Sequence, residues 1–403
     1  MNLNKRIEDK LHEIADFLIN YNQENEKTGA LSGLAGIALF HFFYSRFTNN
    51  RYHHKKGELI IEKIILKIKA GQIFPSYCDG LCGALYILEI LKRESFIDYD
   101  DSNFDNLDIY LFDKMRFDLE NNYFDFLHGA LGYGWYFTEK FLNSKNSRKE
   151  IYFNFSKYLL KELENSSIED YNGKFWKSNI MFKKVNIEVS NLGMSHGLPS
   201  FIMLLSKMTL IDQLKEKSIK LLKGASDYLI SSDIQNLNGT ARYPNWIDLN
   251  NRMIKNNSRL AWCYGDLGIS VALHKASKVL NSDSLYSWSK EILMNSTERT
   301  NINEAGVKDA GLCHGAFGIM LLYKSLNASF NNTSIQKASE LWATKGLSLG
   351  CYKDGYAVFK SGNGKTWFNE DSLLEGVSGI GLSIISYLSK SNLAWEEALL
   401  IDI

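Results

Sequence analysis

Two cysteines and a histidine hold matched places in this 403-residue chain. A short glycine-paired segment recurs seven times: SGLAG (Ser32–Gly36), DGLCG (Asp79–Gly83), HGALG (His128–Gly132), HGLPS (His196–Ser200), GDLG (Gly265–Gly268), HGAFG (His314–Gly318) and EGVSG (Glu375–Gly379). Two residues before the first glycine, repeats five and six carry Cys263 and Cys313, and His314 stands one residue before the glycine of repeat six. Residues at equal offsets in a repeat fold take equivalent places, so the three side chains can converge. Two thiolates and an imidazole leave a fourth position open, which suits catalytic zinc. A buried cysteine is otherwise only a small hydrophobe, and it is the shared register that makes this set informative. Cys78 has the same offset in repeat two, three steps away around a seven-membered ring, and is expected to face the others from too far to ligate. Cys82 and Cys351 read as structural.

The same counting finds more polar groups at one rim. His128 and His196 directly precede their glycines, as do Asp79 and Glu375, and Asp125 lies four residues before Gly129. Some of these could simply cap inner helices, because carboxylates are favoured at helix N-termini.

Two kinds of helix must position these residues. One is amphipathic: in Arg6–Tyr21 the residues Ile7, Leu11, Ile14, Leu18 and Tyr21 form one apolar stripe. Glu58–Ala70 and Lys217–Ile230 repeat the pattern. The other kind follows each glycine pair and is apolar nearly all round, as in LAGIALFHFFY and VSGIGLSIISYL, which marks a helix buried on every side. The steps between first glycines are 47, 49, 68, 68, 50 and 61 residues. The fold class expected is therefore all-α, an α/α toroid of seven inner and seven outer helices formed by residues 1–403 as one domain. The two long steps imply small β-containing insertions on the rim, at roughly 165–191 and 234–258. The first contains KFWKSNIMFKKVNIEV, rich in strand formers, and the second carries Asn-Gly and Tyr-Pro turn signals. The stretch Phe96–Asp108, with five aspartates, reads as an exposed connector.

Composition narrows the field. Net charge is zero, so nothing points to a nucleic-acid partner. The first residues, MNLNKRIEDKLHEIADFL, are charged and amphipathic, unlike a signal peptide. No apolar run reaches the ~20 residues that span a bilayer. Five unevenly placed cysteines read as reduced thiols, which suggests a cytoplasmic location.

At WCYGD (Trp262–Asp266), LCHG (Leu312–Gly315) and NLGMSHG (Asn191–Gly197) the chain resembles the lanthionine synthetase C-like family, and within it the stand-alone lanthipeptide cyclases. The likeness spans all seven repeats. It implies an α/α toroid with one zinc ion per chain, held by Cys263, Cys313 and His314. It further implies catalytic roles for His196, Asp125, Arg259 and Tyr264. Two departures stand out: Ser200 replaces the usual second glycine of its repeat, and His128 replaces an acidic residue. The activity implied is the addition of precursor-peptide cysteine thiols to dehydroalanine or dehydrobutyrine, giving thioether rings. The partners implied are a dehydrated precursor peptide with its leader, a lanthipeptide dehydratase and an export transporter complex, which would also bring the protein to the membrane surface. Glutathione addition to dehydroamino acids, and a scaffold that retains zinc without catalysis, are the alternatives that the same residues allow.

Overall fold

The computed structural model describes residues 2–22, 27–182, 184–234, 241–250 and 258–403. Fourteen α-helices occur among the described residues, and inner and outer ones alternate. In chain order they are α1 (Leu3–Asn20), α2 (Leu34–Thr48), α3 (Arg51–Lys69), α4 (Leu81–Arg93), α5 (Asp105–Glu120), α6 (Ala130–Asn143) and α7 (Asn146–Ser166). There follow α8 (Leu198–Met208), α9 (Lys215–Ser231), α10 (Asp266–Leu280), α11 (Asp283–Ser296), α12 (Ala316–Phe330), α13 (Thr333–Ser348) and α14 (Val377–Leu388). Short strands are β1 (Ile168–Asp170), β2 (Gly173–Phe175), β3 (Lys177–Phe182), β4 (Val185–Asn191), β5 (Trp246–Asp248), β6 (Ser361–Gly362) and β7 (Trp367–Phe368).

Each even-numbered helix is capped by the first glycine of a repeat: Gly33, Gly80, Gly129, Gly197, Gly265, Gly315 and Gly376. These helices are buried over most of their length, as the all-round apolar pattern requires. The second glycine has its own cause. In five repeats the carbonyl six residues upstream folds back onto the first helical turn. A Cβ at Gly83 would meet Tyr77 O at 1.8 Å, and one at Gly379 would meet Leu373 O at 1.8 Å. No side chain fits there. In the fourth repeat Ser200 is accommodated, with its hydroxyl donating to Gly197 O at 2.7 Å.

The chain divides into two compact units. The first comprises Met1–Tyr99 and Arg299–Ile401. Within it α2 packs on α3, α4 and α14, α12 packs on α13 and α14, and α1 lies against α13 and α14. The stripe Ile7, Leu11, Ile14 and Leu18 of α1 is fully buried in these contacts. Cys82 is buried inside α4, and Cys351 is exposed in a loop.

The second unit comprises Asp100–Glu298 with Asp402–Ile403. Here α6 packs on α5, α7 and α8, while α8 and α10 pack on each other and on α9. The first insertion folds into strands as its composition predicts: β1 pairs with β2, and β3 with β4, both antiparallel. The second insertion supplies β5, which pairs with β4, so both insertions share one sheet in the order β3-β4-β5. The Asn-Gly turn of the second insertion lies outside the described residues. What is described of that segment is pinned to α10: the Asp266 carboxylate accepts from the backbone N–H of Arg242 at 3.1 Å and of Tyr243 at 3.2 Å.

The aspartate-rich connector is shorter than expected. Asp105 already begins α5, and Asp108 is buried, accepting hydrogen bonds from Tyr136 (2.7 Å) and Tyr152 (2.5 Å). Its place on the inward face of a helix outweighs the polarity of its neighbours.

Candidate functional site

Strand β4 ends at Asn191 and runs straight into the turn Leu192–Gly197 before α8. This turn packs on a second one, Trp262–Gly265, before α10. The Ser195 hydroxyl donates to Cys263 O at 3.4 Å. The contact is so close that a Cβ on Gly193 would lie 2.6 Å from Tyr264 Cε1 and 2.7 Å from Cys263 O. Gly265 closes the second turn with φ +101°, a conformation that favours glycine, and a Cβ there would meet Arg259 O at 2.2 Å. Trp262 is core, 1% exposed, and Cys263 is 7% exposed.

Three of the residues expected to do chemistry meet here. His196 Nδ1 lies 2.5 Å from Asp125 Oδ2. Asp125 Oδ1 accepts from the His128 backbone N–H at 2.8 Å. The His196 and Tyr264 rings are 6.1 Å apart, centroid to centroid. Asp125 therefore uses one oxygen to fix its own loop and the other to hold the imidazole. Because Nδ1 faces the carboxylate, it carries a proton, and Nε2 is the nitrogen that Asp125 leaves unengaged. Burial pushes the His196 pKa down, but the hydrogen bond and charge of Asp125 outweigh it, with a smaller pull from Cys263, and the net shift is upward. The Asp125 charge also reaches Tyr123, whose hydroxyl is pushed up to about 12, chiefly by burial.

Arg259 stands at the start of the Cys263 turn with its side chain exposed. Its backbone carbonyl lies opposite Gly265, 2.2 Å from where a Cβ would stand. Asn191 was not singled out by sequence reasoning. Its amide bonds both to Gly193 N–H (2.9 Å) and to the Tyr264 hydroxyl (3.1 Å). Its place in the NLG turn beside His196 was the available signal.

In the other unit, the Leu312–Gly315 turn is held by Leu374 O, which accepts from the N–H groups of Leu312 and Cys313 at 2.9 Å each. The Asp309 carboxylate accepts from Gly311 N–H (3.0 Å) and Gly362 N–H (3.1 Å). His314 Nε2 lies 3.8 Å from Asp309 Oδ2, whose side chain is only 2% exposed. At that distance the two form no hydrogen bond, but the charge of a buried carboxylate nearby favours a positively charged or cation-bound imidazole. Elsewhere in this unit Cys78 is buried, with Sγ 3.2 Å from Ser32 Oγ. Asp79 pairs with Lys27 at 2.9 Å, and Glu375 lines a polar pocket with Lys27, Ser32 and Glu370.

The family model described as "Lanthionine synthetase C-like protein" matches residues 24–400. Among solved structures, "Nisin cyclase" is similar with a TM-score of 0.73 over 98% of this chain and 97% of that one, at 19% sequence identity. That likeness shows the fold, the α/α toroid read from the glycine repeats. No curated protein matches by sequence. No described helix is long and apolar enough to cross a membrane.

Proposed function

The chain belongs to the lanthionine synthetase C-like family and is a lanthionine-synthetase-type enzyme, and from that premise we propose that it is a zinc-dependent lanthipeptide cyclase. Its substrate would be a dehydrated precursor peptide bearing a leader. The observation that carries the reading is the half-buried His196–Asp125 pair at 2.5 Å, in which the carboxylate fixes which ring nitrogen is engaged, with the Tyr264 ring 6.1 Å from the imidazole.

The residues fit a zinc ion. Cys263, Cys313 and His314 supply two thiols and an imidazole, a donor set that could hold a metal and that leaves one position open for a ligand. The Asp309 carboxylate, 3.8 Å from His314 Nε2, adds a negative charge beside that set. When bound, zinc would supply Lewis acidity that lowers the pKa of the incoming peptide thiol from its usual ~8.5.

The chain's own residues then handle the proton. Addition of sulfur to the β-carbon moves the alkene electrons towards the α-carbon and its carbonyl, giving an enolate. Protonated His196 delivers a proton to the α-carbon from Nε2, because Asp125 engages Nδ1. Asp125 offsets the positive charge of the imidazolium before the step and keeps the ring aimed after it. The neutral imidazole left behind recovers the proton released by the next peptide thiol, so the cycle balances. Histidine suits the task because its pKa lies near working pH.

The deciding experiment incubates zinc-loaded protein with dehydrated precursors that carry their leaders. Closed rings are then counted by mass spectrometry after thiol alkylation. A fall in the free-thiol count with unchanged peptide mass is expected. An unchanged count across several candidate precursors would sink the reading. A mass increase on adding glutathione would instead make the protein a glutathione-adding enzyme.

A further inference from the structure

We propose that Asn191 is a positioning residue that fixes the direction of the Tyr264 hydroxyl, so that Tyr264 donates a hydrogen bond to the substrate carbonyl oxygen where enolate charge develops. This rests on the cyclase reading for the identity of the substrate, but the orientation itself follows from hydrogen-bond logic.

Asn191 ends strand β4 and is 4% exposed. One atom of its side-chain amide lies 2.9 Å from the Gly193 backbone nitrogen. A backbone N–H only donates, so that atom is the amide oxygen. The amide nitrogen then faces the Tyr264 hydroxyl at 3.1 Å. An NH₂ group also only donates, so the tyrosine oxygen must accept, and its own proton is directed away from Asn191. The ring cannot swing to escape this bond on the side of the Leu192–Gly197 turn, because Gly193 packs against it too tightly for even a Cβ. The same ring lies 6.1 Å from the imidazole of His196. Tyr264 is thereby held as a donor beside the proposed acid. An enolate oxygen is what such a donor stabilises, and removing one donor of this kind costs about 10²–10³-fold in kcat in enzymes where it has been measured.

Asn191→Asp is the incisive variant, since it keeps the shape and reverses one bond. One carboxylate oxygen still accepts from Gly193. The other now accepts from Tyr264, whose proton is drawn away from the substrate. We expect kcat for ring closure to fall about 10²-fold with little change in KM, as in Tyr264→Phe. The double variant should be no worse than either single. A readout independent of turnover comes from protein labelled with ¹³Cζ-tyrosine. The Tyr264 resonance, identified by its absence in Tyr264→Phe, should shift in Asn191→Asp. An unmoved resonance overturns the bond. Additive losses, or an Asn191→Asp kcat within threefold of wild type, overturn the positioning role. Wild-type protein that closes no ring removes the cyclase reading and with it the substrate contact, while the resonance still decides the orientation.

Discussion

Replacing Asp125 with Asn tests the proton-transfer assignment at its base. The native carboxylate accepts from His128 N–H with one oxygen and holds His196 Nδ1 with the other. In Asp125→Asn the His128 N–H still needs an acceptor, so the amide oxygen stays with it and the NH₂ group turns to His196. Being a donor, that group forces Nδ1 to give up its proton, and the ring becomes neutral with its hydrogen on Nε2. A hydrogen bond to a charged group contributes about 1.5–3 kcal/mol. Losing it takes away the hydrogen bond and charge that hold the ring proton, so the His196 pKa falls, and the protonated fraction near neutral pH falls with it. The sign is fixed by the upward native shift, in which Asp125 overcomes burial. Wild-type activity is present below the raised pKa and lost as pH rises through it, and the stability contributed by the pair follows the same window. In Asp125→Asn that descending limb should move to lower pH. The assay is the initial rate of ring closure across the pH range, quenched with an alkylating reagent and corrected for the uncatalysed addition. A descending limb with the same midpoint in both proteins would refute the reasoning, even if the variant were slower.

Other expectations follow from the same geometry. His196→Ala should lose about 10²–10⁴-fold in rate, whereas His128→Ala, which keeps the backbone bond to Asp125, should stay within about tenfold; equal losses with metal retained would mean that the two histidines share the acid role. Gly193→Ala drives a Cβ into the Tyr264 ring and Cys263 carbonyl, so it should lower the melting temperature and the rate together; a variant with native melting and rate would show that the two turns can part without cost. Cys313→Ala should purify with little zinc yet keep its helical circular dichroism, and full occupancy by elemental analysis would remove Cys313 from the ligand set.

The repeat fold was legible because in five repeats the second glycine has a local steric cause that leaves a mark in sequence. At Gly83 and Gly379 a carbonyl six residues upstream allows no side chain. The strands of the first insertion were legible for a similar reason, since Ile180 and Ile187 sit in register across one hairpin. The pairing of β5 with β4 was not, because Trp246 is matched to Asn191 across more than fifty residues of chain and neither sequence names its partner. At the site, register located His196 and Asp125, but not which oxygen of Asp125 does what. Asn191 escaped notice because its effect runs through Tyr264, and an asparagine at the end of a strand reads as turn chemistry. Asp108 was misplaced for the converse reason: its acidic neighbours hid a helix whose buried face requires two tyrosine hydroxyls to satisfy one carboxylate.

The two units differ in how they use the chain, and this bears on their synthesis. The second is built from the nearly unbroken run Asp100–Glu298, whereas the first needs both Met1–Tyr99 and Arg299–Ile401. On a ribosome the contiguous unit can mature while the other still lacks three of its seven described α-helices, α12 to α14. The apolar helix α2 is made early, yet it rests against α14, which emerges near the end. At about 5–20 residues per second, the final hundred residues take roughly 5–20 s to appear. During that interval the early helices of the first unit are the exposed ones, and a chaperone would meet them before any other part of the core. A truncation that removes α14 should make that interval permanent, turning a transient chaperone client into an aggregating one while the second unit remains folded.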